Sequence, residues 1–248
     1  EVIRTAVDQV TGAAIRGINL EGPYISRNRE GAQKEEFIRF PDFAEFSLLY
    51  RASGELIRLV DIAPELPGSA EFIRQVKPFC TVSIAHTDAD YYQALEAFEH
   101  GISHATHLFN AMSGLSHRAP GVVGAVLDTP SVSAELICDG FHIHPAVLRS
   151  AFRLLGDHRA VIVSDSMRAA GYPDGNYDLG GQLVTVSDGQ ARLSDGTIAG
   201  STTDLLEEIQ NLLEYGLPLE QVLRAATINP ARKIGWEHDI GSLEAGKL

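Results

Sequence analysis

The sequence predicts an α/β fold in which parallel strands form a TIM-type (β/α)8 barrel, and two features of the chain lead to this prediction. Short apolar runs alternate with longer segments of helical periodicity, as in parallel strands joined by right-handed crossovers. The apolar runs also end in polar or charged side chains. In a barrel the carboxyl ends of all strands face one rim, so side chains from distant parts of the sequence meet there in one pocket.

Six strands are predicted in the first two thirds of the chain, in short apolar runs rich in β-branched residues. They lie at 14–22, 56–65, 81–87, 102–110, 132–140 and 160–166. An open doubly wound sheet is the alternative arrangement. No G-x-G-x-x-G motif follows any of these strands, which weakens the case for a dinucleotide-binding fold of that kind.

Helices are predicted between the strands, where apolar residues recur with a helical period. These helices lie at 44–54, 69–78, 88–101 and 144–157. Beyond the last strand, the glycine-rich stretch 169–201 predicts a long excursion that contains a hairpin. Two further helices are expected at 202–216 and 218–228. A third should follow, with Asn229 as its N-cap and Pro230 as its first residue.

The composition is that of one globular domain, and we expect residues 1–248 to form a single barrel domain. Of the 248 residues, 44% are hydrophobic and 21% charged, enough for one large core. The net charge of −13 argues against nucleic acid as a partner. No apolar run reaches the ~18 residues of a membrane span, so no membrane partner is expected. Cys80 and Cys138 lie in apolar runs, which favours reduced thiols and a cytoplasmic location.

Polar side chains at four strand ends indicate a metal site. Glu21, His86 and His107 each follow an apolar run, and imidazole with carboxylate is a ligand set that suits zinc and related divalent ions. Asp165, after the sixth strand, would lie beside the open position that a catalytic metal keeps for water. The pattern alone leaves an ordinary reading open, because a strand-end Glu is often an ion-pair partner and a strand-end His a hydrogen-bonded rim residue. Glu65 is the rival carboxylate, and a structural role is expected for it.

Short sequence motifs give a more specific indication of the family. Eight blocks follow one another in order between Gly17 and Lys247: GINLEGPYI, SIAHTDA, ATHLFNAMSGLSHRAPGVVGAVLD, ICDGFHIHP, VIVSDSM, DGTIAGST, ATINPARKIG and GSLEAGK. Together they closely resemble the N-acetylglucosamine-6-phosphate deacetylases, a family within the metal-dependent amidohydrolase superfamily. Any one block would be moderate evidence, whereas the ordered set covers nearly the whole chain.

The resemblance implies a reaction and a set of roles. The reaction is hydrolysis of the N-acetyl group of N-acetylglucosamine 6-phosphate to glucosamine 6-phosphate and acetate. Glu21, His86 and His107 match the ligands of one divalent ion, zinc or iron, and this chain supports no second ion. Asp165 matches the catalytic acid and base. The positions that match contacts to the sugar phosphate are Ala32, Gln33, Asn110, Ala111, Arg118, His142, Ile198, Ala199 and Gly200. The resemblance also implies a homodimer, in which the loop with Arg118 can act across the interface.

Two departures from the family qualify this reading. Gln33 stands where many relatives have a histidine that polarises the scissile carbonyl, so the carbonyl would depend more on the metal. Chains of the family also extend further in both directions, which implies that the first two barrel strands and a small β-sandwich are missing here. The alternatives are an amidohydrolase for another N-acyl or cyclic amide substrate, or a truncated, non-catalytic sugar-phosphate binder. His104 is expected to point away from the pocket and to pack against the outer helices.

Overall fold

A curled parallel sheet forms the centre of the molecule, which is described by a computed structural model for residues 2–7 and 9–248. The sheet has six strands in the order of the chain, and every neighbouring pair is parallel. The strands are β1 Ile18–Leu20, β2 Ile57–Ile62, β3 Thr81–Ile84, β4 His104–Ala105, β5 Ser133–Leu136 and β6 Ala160–Ile162. All six predicted strands are present, and the predicted class, an incomplete TIM-type barrel, is confirmed.

Helices follow the strands, as the crossover rule for parallel sheets requires. They are α1 Val2–Ala6, α2 Phe43–Ala52, α3 Ser69–Val76, α4 Tyr91–His100, α5 Gly121–Asp128, α6 Pro145–Arg159, α7 Leu205–Glu214, α8 Leu219–Ala226 and α9 Ile228–Lys233. Their apolar faces pack with the strands into one large core that includes Tyr24, Phe46, Phe72, Leu148 and Phe152. Among the described residues, no helix combines the length and apolar character needed to cross a membrane.

Helix α5 and the start of α9 differ from the sequence-based expectation. Helix α5 was not predicted, because it is apolar around most of its circumference and has no apolar stripe of helical period. Helix α9 begins at Ile228, so Asn229 lies inside it and the predicted N-cap is wrong. The Asn229 side chain instead donates hydrogen bonds to the carbonyl oxygens of Asp157 and Ala160, at 2.9 Å each. These bonds tie α9 to the end of α6 and to the first residue of β6.

The glycine-rich excursion forms a second, smaller sheet. Its antiparallel strands are β7 Gly175–Leu179, β8 Gln182–Ser187 and β9 Gln190–Arg192. The predicted hairpin is therefore confirmed, with one strand more. The sheet covers its own apolar cluster, which includes Met167, Val184 and Ala199. The Gln182 amide donates a 2.6 Å hydrogen bond to the carbonyl oxygen of Ala32, which links this sheet to the loop after β1.

Candidate active site

The carboxyl ends of the strands surround one cavity of about 890 Å³. Glu21 after β1 and Asp165 after β6 both line it, together with His86 and His107 from the middle of the sheet. The sheet must therefore curl strongly, because residues after its first and last strands reach the same space. Every sequence-predicted site residue lines this cavity except Arg118.

Glu21, His86 and His107 form a compact cluster at the base of the cavity. The Glu21 Oε1 atom lies 2.8 Å from His86 Nε2 and 3.4 Å from His107 Nε2, and the two imidazole nitrogens are 3.1 Å apart. Among the described residues, this is the one cluster of three His, Cys, Asp or Glu side chains whose ligand atoms could share a metal ion. Both histidines are buried and Glu21 is partly exposed to the cavity.

Hydrogen bonds from outside the cluster orient two of its members. The His86 Nδ1 atom lies 2.7 Å from the carbonyl oxygen of Arg29. A carbonyl can only accept, so Nδ1 carries a proton and Nε2 faces the cluster, where its lone pair becomes available to a metal ion when Nε2 is deprotonated, the usual arrangement for a metal-binding histidine. The backbone N–H of His107 points to Glu135 Oε2 at 3.4 Å. The sequence could not reveal the Arg29 contact, because the partner is a backbone carbonyl.

The three side chains strongly perturb one another's ionisation. Burial acts to raise the pKa of Glu21, but hydrogen bonds from His107 and His86 and their charges hold it well below its usual range. Burial acts to lower the pKa of His107, whereas the hydrogen bond and charge of Glu21 raise it to about 9. These shifts favour a negative carboxylate beside a protonated imidazole, and a divalent cation would replace that proton on the same lone pairs.

The cluster fits a divalent metal ion by geometry and chemistry. Ligand bonds of about 2.0–2.2 Å place the donor atoms of a tetrahedral site roughly 3.4 Å apart, close to the separations observed here. Two imidazoles and one carboxylate leave a fourth position free, as in catalytic zinc sites. The Nδ1 atom of His107 is buried without a hydrogen-bond partner among the described residues. The polar contacts of this side chain are therefore made by Nε2, which faces Glu21 and His86.

Asp165 lies beside this cluster in a backbone conformation that aims it into the cavity. Its φ angle is +48°, in the left-handed region that non-glycine residues rarely occupy. Its carbonyl oxygen accepts a 2.8 Å hydrogen bond from Ser201 N. A Cβ on Gly200 would lie 3.0 Å from that oxygen, so a side chain there would crowd Asp165. The carboxylate of Asp165 is in contact with solvent in the cavity. Burial by the surrounding protein and the negative charge of Glu21 nevertheless raise its pKa to about 6.

His142 faces the cavity and is fixed from behind by Asp139. The His142 Nδ1 atom lies 2.6 Å from Asp139 Oδ2. The other carboxylate oxygen of Asp139 accepts the backbone N–H groups of Phe141 and His142, each at 2.9 Å. Burial works against the ionised form of Asp139, but these hydrogen bonds and the charge of His142 lower its pKa overall. His142 Nδ1 is therefore a donor, and Nε2 is left for a ligand.

The other cavity-lining predicted residues come from three chain segments. Gln33, which lies next to Ala32, points its amide at the cluster, with Nε2 3.4 Å from Glu21 Oε1. Asn110 and Ala111 follow β4, and the Ala111 carbonyl accepts a 3.0 Å hydrogen bond from Thr87 N. Ile198, Ala199 and Gly200 follow the small sheet.

Three residues weighed at the sequence level lie outside the cavity lining. Arg118 is exposed in the loop between β4 and α5, so the structure does not bring it to the predicted sugar-phosphate contacts. The carboxylate oxygens of Glu65 accept from Thr87 Oγ1 at 2.5 Å and Asp88 N at 2.7 Å, which fits a structural role. His104 does not pack against the outer helices as expected. It is buried beside β5, 2.7 Å from Ser133 Oγ and 3.1 Å from Glu135 Oε1.

Comparison with known proteins agrees with this geometry. Residues 66–248 match the Amidohydrolase family, and the chain belongs to this family. It is 41% identical over 238 residues to the N-acetylglucosamine-6-phosphate deacetylase of Bacillus subtilis, covering 95% of this chain and 60% of that protein. It is 37% identical over 238 residues to an N-acetylgalactosamine-6-phosphate deacetylase of Escherichia coli O157:H7, covering 95% of this chain and 63% of that protein. The predicted resemblance is thereby confirmed.

Solved structures give the same result. The fold matches the N-acetylglucosamine-6-phosphate deacetylase of Pasteurella multocida with a TM-score of 0.91 and 36% identity, over 100% of this chain and 65% of that one. A mutant of the Mycobacterium smegmatis enzyme, in complex with N-acetyl-D-glucosamine-6-phosphate, matches with a TM-score of 0.89 and 35% identity, over 94% and 63%. The chain spans about 60% of the length of the curated relatives it matches.

Proposed function

We propose that this chain is the barrel part of a metal-dependent deacetylase that releases acetate from N-acetylglucosamine 6-phosphate. The observation that carries the proposal is the convergence of Glu21, His86, His107 and Asp165 on one cavity. Relatives that are 39% and 41% identical to the chain over the aligned residues are named for this activity. The cytoplasmic location and the homodimer that the sequence suggests remain part of the proposal.

Each group at the site has a proposed task. Glu21, His86 and His107 would hold one divalent ion, zinc or iron, which supplies Lewis acidity and lowers the pKa of water to about 7. Asp165 would accept the proton of the attacking water on its carboxylate and pass it to the departing amide nitrogen. Burial and the negative charge of Glu21 raise the pKa of Asp165, which favours uptake of the proton, while the positive charge of a bound divalent ion would favour the ionised form at pH 7.

The remaining residues would bind and orient the sugar phosphate. His142, with Nδ1 committed to Asp139, can accept a hydrogen bond from a sugar hydroxyl at Nε2. Gln33 lies close enough to Glu21 for its amide to approach the scissile carbonyl. The main-chain groups of residues 198–200, with Ala32, Asn110 and Ala111, would complete the wall around the sugar. Arg118 would anchor the phosphate from a neighbouring subunit.

An acetate-release assay tests the proposal directly. The protein loaded with zinc or iron(II) should release acetate from N-acetylglucosamine 6-phosphate, and a chelator should stop the reaction. N-acetylgalactosamine 6-phosphate belongs in the same experiment, because one relative is named for that substrate. Unphosphorylated N-acetylglucosamine is the control for phosphate recognition. Absence of acetate release from every sugar phosphate, despite bound metal, would count against the deacetylase and leave a non-catalytic binder or another amide substrate.

A further inference from the structure

One side of helix α7 holds the backbone of the loop that follows β5. Glu208 Oε2 accepts a 2.9 Å hydrogen bond from Cys138 N, and Asn211 Nδ2 donates to Cys138 O at 3.3 Å. Tyr215, at the C-terminal end of the helix, lies against Gly140, where an added Cβ would be 2.5 Å from its hydroxyl oxygen. A spacing of three and then four residues places all three side chains on one helix face. That face therefore fixes the loop leading to His142.

The second carboxylate oxygen of Glu208 reaches a different segment. Thr203 Oγ1 donates to Glu208 Oε1 at 3.0 Å. The segment 201–203 runs beside Asp165: Ser201 N donates to Asp165 O at 2.8 Å, and Met167 N donates to Ser201 O at 2.9 Å. Glu208 is therefore a bridge between the segment paired with Asp165 and the loop that carries His142.

Burial of the Glu208 carboxyl group would destabilise the fold if it made no hydrogen bonds to these two segments. Its side chain is fully buried, and a buried carboxyl group is unfavourable unless hydrogen bonds satisfy it. Burial raises its pKa to about 8, and the charges of Asp139 and Asp165 act in the same direction, although the two hydrogen bonds oppose them. An apolar side chain would avoid this cost but would leave the N–H of Cys138 without its partner.

We propose that Glu208 is a positioning residue that sets the distance between His142 and Asp165. The proposal rests on the deacetylase function, because it assigns His142 to the sugar hydroxyl and Asp165 to the proton. One side chain, touching neither the metal cluster nor the cavity, holds the two groups in register. A displacement of about 1 Å in such an arrangement can cost on the order of 100-fold in rate.

Kinetics of matched variants test the bridge. Glu208→Leu should lower kcat/KM by at least about tenfold, mostly through kcat, because substrate contacts remain while alignment is lost. Glu208→Gln keeps the shape and both hydrogen-bonding atoms, and should stay within about threefold of wild type. Thr203→Val removes the contact of Glu208 on the Asp165 side, together with the 3.2 Å contact between Thr203 Oγ1 and Ser201 Oγ, and should reduce kcat by an intermediate amount. Glu214→Leu, the same change at an exposed position of α7, is the control.

A spectroscopic readout separates this proposal from the proposed function. The 2.6 Å hydrogen bond between His142 and Asp139 should give a downfield imidazole proton signal by NMR, identified by its absence in His142→Gln. The signal should persist in Glu208→Gln and Thr203→Val and disappear or broaden in Glu208→Leu. If no sugar phosphate is turned over, this measurement still tests the positioning role.

Two results would overturn the inference. One is a folded Glu208→Leu protein with the wild-type signal and wild-type kcat. The other is a wild-type kcat for Thr203→Val, which would remove the link to Asp165 even if the leucine variant failed to fold. Loss of activity in Glu208→Gln equal to that in Glu208→Leu would also contradict a role that depends on shape and hydrogen bonding.

Discussion

Asp165 is the residue on which the proposed proton transfer depends. It lines the cavity beside the cluster of Glu21 and the two histidines, and its raised pKa reflects the protein around it and the nearby negative charge of Glu21. Among the carboxylates that the structure describes, no other combines this position with a match to the motif expected to hold the acid and base. Glu65, the rival, has both oxygens bonded within its own neighbourhood.

Replacing Asp165 by Asn should abolish proton transfer and spare metal binding. The amide keeps the shape of the carboxylate but cannot accept the proton, so turnover should fall by at least about 100-fold. Acetate release gives the rate, and elemental analysis gives the metal content. Glu65→Gln is the matched control and should retain most activity. Near-normal turnover in Asp165→Asn, together with a large loss in Glu65→Gln, would move the role to Glu65.

If Glu21, His86 and His107 bind the metal ion, loss of one of these side chains should lower the metal content of the protein. Removal of one of three protein ligands should lower affinity strongly, so His107→Ala should retain little metal after dialysis against a weak chelator. His238→Ala, at a side chain that is 91% exposed, is the control and should bind metal as the wild type does. Equal metal content in both variants would show that the cluster is not the binding site.

At the scale of elements, helix α7 adds a pH dependence to stability. The pKa of Glu208 is about 8 in the folded chain, against 4.5 as its ordinary value. The folded state thus binds the Glu208 proton more tightly than the unfolded state does. The contribution of this proton to the stability of the fold is complete below pH 4.5 and is lost as the pH rises towards 8.

Glu208→Gln should therefore gain stability relative to the wild type as the pH rises. Between pH 5 and 8.5 the difference in Tm should shift in favour of the variant by at least about 2 °C. Circular dichroism melts of chelator-treated protein measure it without interference from bound metal. Glu214→Gln, on the exposed side of α7, should show no such trend. A Tm difference that is the same at every pH would contradict the raised pKa.

The strands and most helices could be predicted because their patterns are local. Alternating apolar runs and helical periodicity indicate elements, and polar strand ends indicate the rim. Contacts between residues that are far apart in the sequence could not be predicted from the pattern of a single segment. The carbonyl of Arg29 behind His86, the contact of His104 with Ser133, and the bond from Cys138 to Glu208 each join residues at least 29 positions apart. The α9 start was missed because Asn229 bonds to distant carbonyls and does not cap the helix.

The site residues were predicted from motif resemblance more than from pattern. Polar strand ends alone left ion pairs and rim hydrogen bonds open as explanations for Glu21 and the histidines. Their convergence in one cavity is a property of the curled sheet. Other cavity-lining residues escaped notice, among them Arg27, Arg29 and Lys34, because cations in a polar loop carry no distinctive spacing.

At the scale of the whole molecule, the loop with Arg118 is exposed to solvent. A net charge of −13 disfavours approach of a phosphorylated sugar, so local cations matter for binding. Arg118 lies outside the cavity lining of its own chain. If it reaches the phosphate, a second copy of the chain in a homodimer is the natural source.

Mixing two impaired variants, assayed at a concentration of phosphorylated sugar well below the KM of Arg118→Ala, tests this arrangement. Arg118→Ala should raise KM sharply for the phosphorylated sugar and little for the unphosphorylated one. After subunit exchange, an equal mixture of Arg118→Ala and Asp165→Asn should recover about a quarter of the wild-type sites, since one site in each mixed dimer has both residues. Each variant alone is the control, and size-exclusion chromatography reports the oligomer. No recovery in an exchanging dimer would mean that Arg118 does not act across the interface.

His86, His107 and Asp165 share a feature that also bears on how such a protein can change over generations. All three have positive φ, at +44°, +30° and +48°, a conformation that costs on the order of 1–3 kcal/mol for a non-glycine residue. Glycine adopts it freely. A single mutation to glycine at any of these positions would remove a reacting group and relax the backbone together. Backbone strain alone thus opposes these three side chains, and selection for the chemistry acts against that strain in a lineage that keeps them.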